Sequence, residues 1–339
     1  MNIFYNSLHS QHRPPSEIFN GNREPHQEVP ERVDQILRAA QNSDHVIRDV
    51  QASVQKRQEL RRILGQLHTA DYLEYLQTTN FTDDYEYPSV FAYRNETTTP
   101  RHPVARRGFY SFDTYTPVNN TTSRVALESA YLAQCAALEL LQSNEVQYAL
   151  CRPPGHHAEP SRMGGYCYFN NGGVAAQILR NASRKNRIAI LDVDFHHGNG
   201  TEKIFGETEE ILTVSIHADP SEKFPFFSGS ETDAYLSNRN FPLPLGTANT
   251  EYHKTLLLAL EVIKQHRASH LVVCFGADTH ESDPIGGFKL TTDFYTKMSH
   301  LISELKIPTV VIQEGGYNTA ALGENVLAFL DGFEEPHRL

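Results

Sequence analysis

The amino-acid sequence predicts an α/β fold in which helices flank a parallel sheet. Five short apolar runs, rich in β-branched residues, are continuous rather than alternating, as is typical of strands buried on both faces. Helical patterns lie between these runs, and this alternation predicts βαβ units and a parallel sheet. The runs span 146–150, 188–193, 211–216, 271–275 and 309–312, and the helical patterns span 124–141, 172–180, 252–266, 292–305 and 319–330.

The N-terminal part of the chain has weaker patterns. Residues 3–5 indicate an edge strand, and residues 31–40 and 70–77 indicate helices. The segment from about 78 to 122 has little periodicity, and a loop of this length in a compact domain is usually functional or disordered. Its many aromatic residues favour an ordered insertion that packs on a pocket rim or on a second subunit. These residues are Phe81, Tyr85, Tyr87, Phe91, Tyr93, Phe109, Tyr110, Phe112 and Tyr115.

Length and composition exclude several classes of protein. The 339 residues contain neither a Pro/Gly/Ser-rich linker nor a repeat, so one domain over residues 1–339 is predicted. A net charge of −11 without a basic run disfavours nucleic-acid binding. The pattern of a signal peptide and an apolar stretch of membrane length are both absent. The four cysteines form no close pair and indicate free thiols. We therefore expect a cytoplasmic protein without a membrane partner.

Four short polar motifs, each following a predicted strand, carry most of the chemistry. They occupy residues 151–157, 192–200, 278–283 and 314–317. The loops at the carboxyl ends of parallel strands line one crevice, where ligands bind. Carboxylates, imidazoles and a phenol are therefore expected to meet at one point, which favours a catalytic metal site.

Asp194, His196 and Asp283 are the predicted metal ligands. Asp194 and His196 are two residues apart at a strand end, so that their side chains point the same way, and Asp283 comes from another such loop. Catalytic zinc sites use three protein ligands and leave one position to water. The alternative is that the Asp-x-His sequence only caps the following helix, but the three other polar loops favour a metal.

The remaining polar residues suggest catalytic and supporting roles. His156 and His157 follow a rigid Pro-Pro-Gly turn and are predicted to act as general base and acid, with Asp192 and Asn199 as hydrogen-bond partners. Tyr317 follows two glycines, and its hydroxyl could stabilise an oxyanion. Asp192 could instead help to hold a structural monovalent cation with Ser215 on the next strand.

These motifs resemble those of the histone deacetylase superfamily over nearly the whole chain. The matching stretches read RPPGHHA at 152–158, GYCYFNN at 165–171, ILDVDFHHGNGT at 190–201 and EGGY at 314–317. The resemblance implies the arginase–deacetylase fold, with an eight-stranded parallel sheet. It also implies Zn²⁺ at Asp194, His196 and Asp283, a catalytic pair at His156 and His157, and a transition-state role for Tyr317. It further implies a K⁺ site built from Asp192, Asp194, His196, Ser215 and Ile216.

Within this superfamily the chain is most similar to bacterial acetylpolyamine amidohydrolases. The similarity rests on the CRPPGHH run, on HADP at 217–220 leading to Phe224 and Pro225, and on the 78–122 insertion. It implies that the insertion forms a homodimer interface and narrows the pocket. It implies that Glu17 receives the distal ammonium of the substrate, and that Gly165, Tyr166 and Phe227 line the acyl channel.

Two departures from this branch bear on the substrate. The second acidic position of the branch falls near residues 105–107, which read Ala-Arg-Arg, and residues 283–287 look more like class II lysine deacetylases. The glutamate that gates polyamines in one eukaryotic branch would fall at Ile285. The leading hypothesis is zinc-dependent hydrolysis of N-acetylated amines, most readily acetylpolyamines. The alternatives are a lysine deacylase acting on proteins or peptides, a two-metal arginase-like hydrolase, and a catalytically silent acyl-lysine binding module.

Overall fold

The fold is organised around an eight-stranded sheet, as the sequence predicts. In the computed structural model, which describes residues 1–91, 98–231 and 235–334, all neighbouring strands of this sheet are parallel. The spatial order is β4-β1-β5-β10-β9-β6-β7-β8, and β2 and β3 form a separate hairpin. The strands are β1 Asn2–Tyr5, β2 Glu17–Phe19, β3 Asn22–Glu24, β4 Val46–Asp49, β5 Gln147–Ala149, β6 Ile188–Asp192, β7 Ile211–Ala218, β8 Asn238–Leu243, β9 His270–Phe275 and β10 Thr309–Gln313.

Helices cover both faces of the sheet and enclose two apolar cores. The helices are α1 Glu31–Ala40, α2 Val54–Leu67, α3 Ala70–Thr78, α4 Pro103–Phe109, α5 Thr122–Ser143, α6 Asn171–Ala182, α7 Asn199–Phe205, α8 Asn249–His266, α9 Thr292–Ser303 and α10 Thr319–Asp331. Residues of α2, α3, α5 and α6 build one core, and residues of α1, α8, α9 and α10 build the other. Within the described ranges, no helix combines the length and apolarity needed to cross a bilayer.

The sequence patterns identified the central strands and missed both edge strands. Residues 3–5 were predicted to form an edge strand, but β1 pairs with both β4 and β5. Strand β4 reads VIRD and is mostly exposed, while β8 reads NRNFPL and contains a proline. Each pairs with a single neighbour, so neither needs the continuous apolar side chains of a strand buried on both faces. Proline is tolerated at such an edge because no further strand needs its missing N–H.

The 78–122 segment packs on the domain and reaches the functional edge of the sheet. Tyr110 is buried and stacks on Tyr75, with ring centroids 4.4 Å apart. Tyr115 approaches Tyr166 at 6.5 Å and Phe224 at 5.9 Å between ring centroids. The segment therefore contributes to a pocket rim, one of the two placements expected. Of its aromatic residues, Tyr93 lies outside the described part of the chain.

Candidate active site

Buried carboxyl groups converge at the carboxyl ends of three adjacent strands. Asp192 ends β6, Asp194 follows it, Asp278 follows β9 and Glu314 follows β10. All four side chains are buried. Since β10, β9 and β6 are direct neighbours, the parallel sheet delivers these groups to one point, as the spacing of the motifs predicts.

Three of the side chains at this point could hold a metal ion: Asp194, His196 and Asp278. Their ligand atoms all lie within 4.8 Å of one another. His196 Nδ1 is 3.5 Å from Asp194 Oδ1 and 3.0 Å from Asp278 Oδ2. Tetrahedral zinc, with bonds of about 2.0–2.1 Å, keeps its ligand atoms roughly 3.3 Å apart. The donor types and these spacings therefore fit a zinc ion.

Asp283, the third ligand predicted from the sequence, is placed differently. Its Oδ1 accepts hydrogen bonds from the backbone N–H groups of Ile285 and Gly286, and its Oδ2 accepts those of Tyr317 and Asn318. The group of three potential ligands contains Asp278 in its stead. Asp278 is the first residue of the 278–283 motif and Asp283 is the last, so both carboxylates come from the loop that the motif predicts.

Asp194 and Asp278 also organise the loops around them. Asp194 Oδ1 accepts the His196 backbone N–H, and its Oδ2 accepts the N–H of Gly315. Asp278 Oδ1 accepts the N–H of Phe195, while its Oδ2 faces His196 Nδ1. Burial, followed by the neighbouring Asp194 carboxylate, raises the pKa of Asp278 to about 7. Burial lowers the pKa of His196, but Asp194 and Asp278 outweigh it and raise the value to about 9.

The two adjacent histidines have different partners, as expected from the sequence. His156 Nδ1 lies 3.0 Å from Asp192 Oδ2, and His157 Nδ1 lies 2.7 Å from Asn199 Oδ1. Burial lowers the pKa of His156, but the carboxylates of Asp194 and Asp192 outweigh it and raise the value to about 10. Burial, with the neighbouring His156 and His196, holds the pKa of His157 well below its ordinary value. The surroundings thus favour a proton on the His156 ring and disfavour a second one on His157.

Glu314, which sequence reasoning left without a role, fixes the histidine loop. Its Oε2 accepts the backbone N–H groups of Gly155, at 2.6 Å, and His156, at 3.1 Å. Burial raises the pKa of Glu314 to about 7. Glu314 is the first residue of the EGGY motif. It contacts the Pro-Pro-Gly turn because β5 and β10 are neighbouring strands, and no local pattern in the sequence shows this.

Tyr317 lies beside the potential metal ligands, and the buried side chain of Arg32 supports the loop that carries it. Arg32 donates hydrogen bonds to the carbonyl oxygens of Glu314 and Gly316, and its guanidinium lies 4.9 Å from the centroid of the Tyr317 ring. Burial raises the pKa of Tyr317 well above its ordinary value, and Arg32 offsets only part of this effect. The phenol therefore carries its proton at neutral pH and can donate a hydrogen bond. Arg32 was not singled out from the sequence.

Aromatic side chains border the approach to the two histidines. Tyr166 lies 5.6 Å from Tyr317 between ring centroids, and its hydroxyl donates to Glu17 Oε2 at 2.9 Å. The Phe224 ring contacts the His157 ring, with ring centroids 5.0 Å apart. Phe227, predicted as a channel wall, lies farther out against Phe112 and is 42% exposed. Burial raises the pKa of Glu17.

The residues predicted for a K⁺ site are neighbours at the ends of β6 and β7, next to the potential metal ligands. Asp192 and Ser215 are register partners on β6 and β7, and Ile216 follows Ser215 on the same buried strand. Asp192 Oδ1 accepts the Asp194 N–H, and Ser215 Oγ lies 2.8 Å from His217 Nδ1. The five residues are therefore adjacent, with their side chains engaged in protein contacts.

This combination of parallel sheet, paired histidines and potential metal ligands is typical of one class of hydrolases. The histone deacetylase domain family matches residues 26–333, and the chain belongs to this family.

Acetylpolyamine amidohydrolases are among the relatives that align with nearly the whole chain. The chain is 35% identical over 346 residues to acetylpolyamine amidohydrolase 1 of Pseudomonas aeruginosa, covering 97% of this chain and 98% of that relative. It is 35% identical over 349 residues to the acetylpolyamine amidohydrolase of Mycoplana ramosa, covering 98% and 99% of the two chains. The crystal structure of the acetylpolyamine aminohydrolase from Burkholderia pseudomallei superposes with a TM-score of 0.92, at 32% identity and 99% coverage of both chains.

Gly165 places the His157 ring, and its replacement tests this contact. A Cβ atom at Gly165 would lie 2.1 Å from His157 Cδ2, and the residue has φ +55°. Gly246 has φ +80° with no atom within 4 Å of such a Cβ, so it is a matched control for backbone strain alone. We expect Gly246→Ala to lower the unfolding free energy by about 1–2 kcal/mol. Gly165→Ala should lower the unfolding free energy by more than this. It should also lose catalytic activity, because the His157 ring must move. Denaturant unfolding and steady-state assays measure both, and equal losses in the two variants would contradict the assigned contact.

Proposed function

We propose that the protein is a zinc-dependent deacetylase that hydrolyses the amide of N-acetylated amines, with acetylpolyamines as the preferred substrates. This proposal rests on the convergence of His156, His157 and Tyr317 on Asp194 and His196, two of the potential metal ligands. The membership of the histone deacetylase family and the full-length similarity to acetylpolyamine amidohydrolases support it.

Asp194 and His196 would hold the zinc ion, with the third ligand supplied by the 278–283 loop. We propose Asp283 for this position, because a catalytic ion must stay open to water and substrate. Asp278 is completely buried, whereas Asp283 is partly exposed and its Oδ2 accepts the backbone N–H of Tyr317. Asp278 would then orient the loop that carries His196, through the contacts described above. The close approach of Asp278 to His196 makes it the competing candidate.

A zinc ion held there would polarise the acetyl carbonyl and lower the pKa of a water molecule. The chain's own residues divide the remaining work. His157 Nδ1 lies 2.7 Å from Asn199 Oδ1, and an N–H donated to this oxygen would leave Nε2 free to take a proton from the attacking water. His156 has carboxylates at both ring nitrogens, Asp192 at 3.0 Å and Asp194 at 3.8 Å, so it remains cationic. The Tyr317 hydroxyl donates to the developing oxyanion, and protonated His157 returns its proton to the leaving amine.

Glu17 supports a preference for substrates with a distal ammonium group. Its carboxylate is buried at the aromatic approach and accepts a hydrogen bond from Tyr166. A cation that reaches this depth would be recognised through a charge-assisted hydrogen bond.

One observation favours acyl-lysine in peptides as the second candidate. At the second acidic position of the polyamine branch, Arg107 forms an ion pair with Glu86, and Arg106 lies over the Tyr75 and Tyr110 rings.

Two further features belong to the proposal. A potassium ion would be held by oxygen atoms of Asp192, Asp194, His196, Ser215 and Ile216, which are adjacent at the ends of β6 and β7.

The 78–122 insertion would form a homodimer interface. Its support is the exposure of Val90 and Phe91, at 61% and 42%, beside the aromatic rim.

The substrate preference can be measured with a charged and a neutral amide that share the same four-carbon chain. We expect a higher kcat/KM for N-acetylputrescine than for either N-butylacetamide, which lacks the ammonium, or an acetyl-lysine peptide. Glu17→Gln keeps an acceptor for Tyr166 but removes the charge. It should lower kcat/KM for N-acetylputrescine about tenfold or more, since a hydrogen bond to a charged group contributes about 1.5–3 kcal/mol. The value for N-butylacetamide should not change.

Tyr317→Phe is the control for chemistry in the same assays. Loss of one oxyanion donor costs about 10²–10³ in kcat, and this loss should be equal for all three substrates. A preference of the wild-type protein for the peptide would move the function to the lysine deacetylases. Equal effects of Glu17→Gln on both small amides would exclude ammonium recognition by Glu17.

The metal ligands can be assigned from the zinc content of purified variants. Asparagine has the shape of aspartate without its charge, so Asp194→Asn and Asp283→Asn should lose most of the bound zinc. Asp278→Asn should retain it with reduced activity. Elemental analysis after removal of loosely bound metal, with circular dichroism as the folding control, gives the comparison. Loss of zinc from Asp278→Asn with retention in Asp283→Asn would assign the third ligand to Asp278.

A further inference from the structure

A chain of four side chains leads from the protein surface to His157. Lys203 Nζ lies 2.8 Å from Glu159 Oε2, and Asn199 Nδ2 donates to Glu159 Oε1 at 3.2 Å. Asn199 Oδ1 lies 2.7 Å from His157 Nδ1. Glu159, Asn199 and His157 are buried, whereas the side chain of Lys203 is 51% exposed. The mechanism above uses Asn199 and His157 but assigns nothing to Glu159.

The carboxylate of Glu159 determines which way the Asn199 amide points. A carboxylate only accepts hydrogen bonds, so the Asn199 atom that faces Glu159 must be the NH₂ group. The oxygen of the amide must then face His157. An amide oxygen also only accepts, so His157 Nδ1 must carry a proton and Nε2 is left with its lone pair.

Glu159 is itself held in place from several directions. Its carbonyl oxygen faces His68 Nδ1 at 2.9 Å, and its backbone N–H donates to the Arg162 carbonyl at 2.9 Å. The Lys203 ammonium engages the second carboxylate oxygen. Glu159, Asn199 and Lys203 line a cavity of about 480 Å³, so solvent reaches the outer end of this chain of contacts.

We propose that Glu159 is a positioning residue for the deacetylation reaction, which sets the tautomer of His157 through the orientation of the Asn199 amide. This inference rests on the proposed function. Without the carboxylate, the amide can rotate by half a turn and present its NH₂ group to His157 Nδ1. The ring proton then moves to Nε2, and no base faces the attacking water.

The test compares Glu159→Leu, which removes the acceptor, with Glu159→Gln, which keeps an acceptor oxygen. We expect Glu159→Leu to lower kcat about tenfold or more at unchanged KM, a loss typical of residues that orient a functional histidine. Glu159→Gln should restore most of the lost kcat. Arg162→Met is the matched control, because Arg162 lines the same cavity and its side chain has no part in the chain of contacts. Its kcat should equal that of the wild-type protein.

Nitrogen-15 NMR of the histidine rings gives a readout that is independent of turnover. The His157 signals are identified by their absence in His157→Asn. The proposal requires the Nδ1–H tautomer in the wild-type protein and a mixture or the Nε2–H tautomer in Glu159→Leu.

The outcomes separate this inference from the proposed function. An Nε2–H tautomer in the wild-type protein overturns the inference even if Glu159→Leu does not fold. Wild-type kcat together with an unchanged tautomer in Glu159→Leu also overturns it. A wild-type protein that has no deacetylase activity but shows the expected tautomers would instead contradict the proposed function.

Discussion

The burial of four carboxyl groups at one end of the sheet is the constraint on which the site depends. Asp192, Asp194, Asp278 and Glu314 are all enclosed, and burial of like charges is unfavourable unless hydrogen bonds and cations compensate for it. Backbone N–H groups from neighbouring loops supply the hydrogen bonds. Each carboxylate therefore ties loops together: Glu314 holds the histidine turn, Asp278 holds the loop after β6, and Asp194 holds the loop after β10.

The same cluster separates the roles of the two adjacent histidines. His156 faces carboxylates at both ring nitrogens, which favours its protonated form, whereas His157 faces an amide. Two rings with centroids 3.9 Å apart cannot both be charged without strong repulsion. The surroundings thus favour a positive charge on His156 and a neutral ring at His157, as the proposed mechanism requires. A zinc ion at the carboxylates would add the positive charge that this cluster still lacks.

The sequence predicted the central sheet and the loops of the site, because both leave local signals. Continuous apolar runs identified the buried strands, and polar residues after each run identified the crevice. The edge strands β4 and β8 left no such signal, since their side chains are partly exposed and polar. Asp278 and Glu314 stood within the predicted motifs, but their partners come from loops far along the chain. Contacts of this kind depend on which strands are neighbours, and the order of the eight strands is not encoded in any local pattern.

The proposed deacetylase activity depends on metal-assisted hydrolysis at Asp194 and His196. This dependence can be tested by measuring acetate release from N-acetylputrescine by the chelator-treated protein and by the same protein after zinc is restored. We expect negligible hydrolysis without metal and a recovery that is complete at one zinc ion per chain. Equal rates before and after chelation, with metal removal verified by elemental analysis, would contradict it.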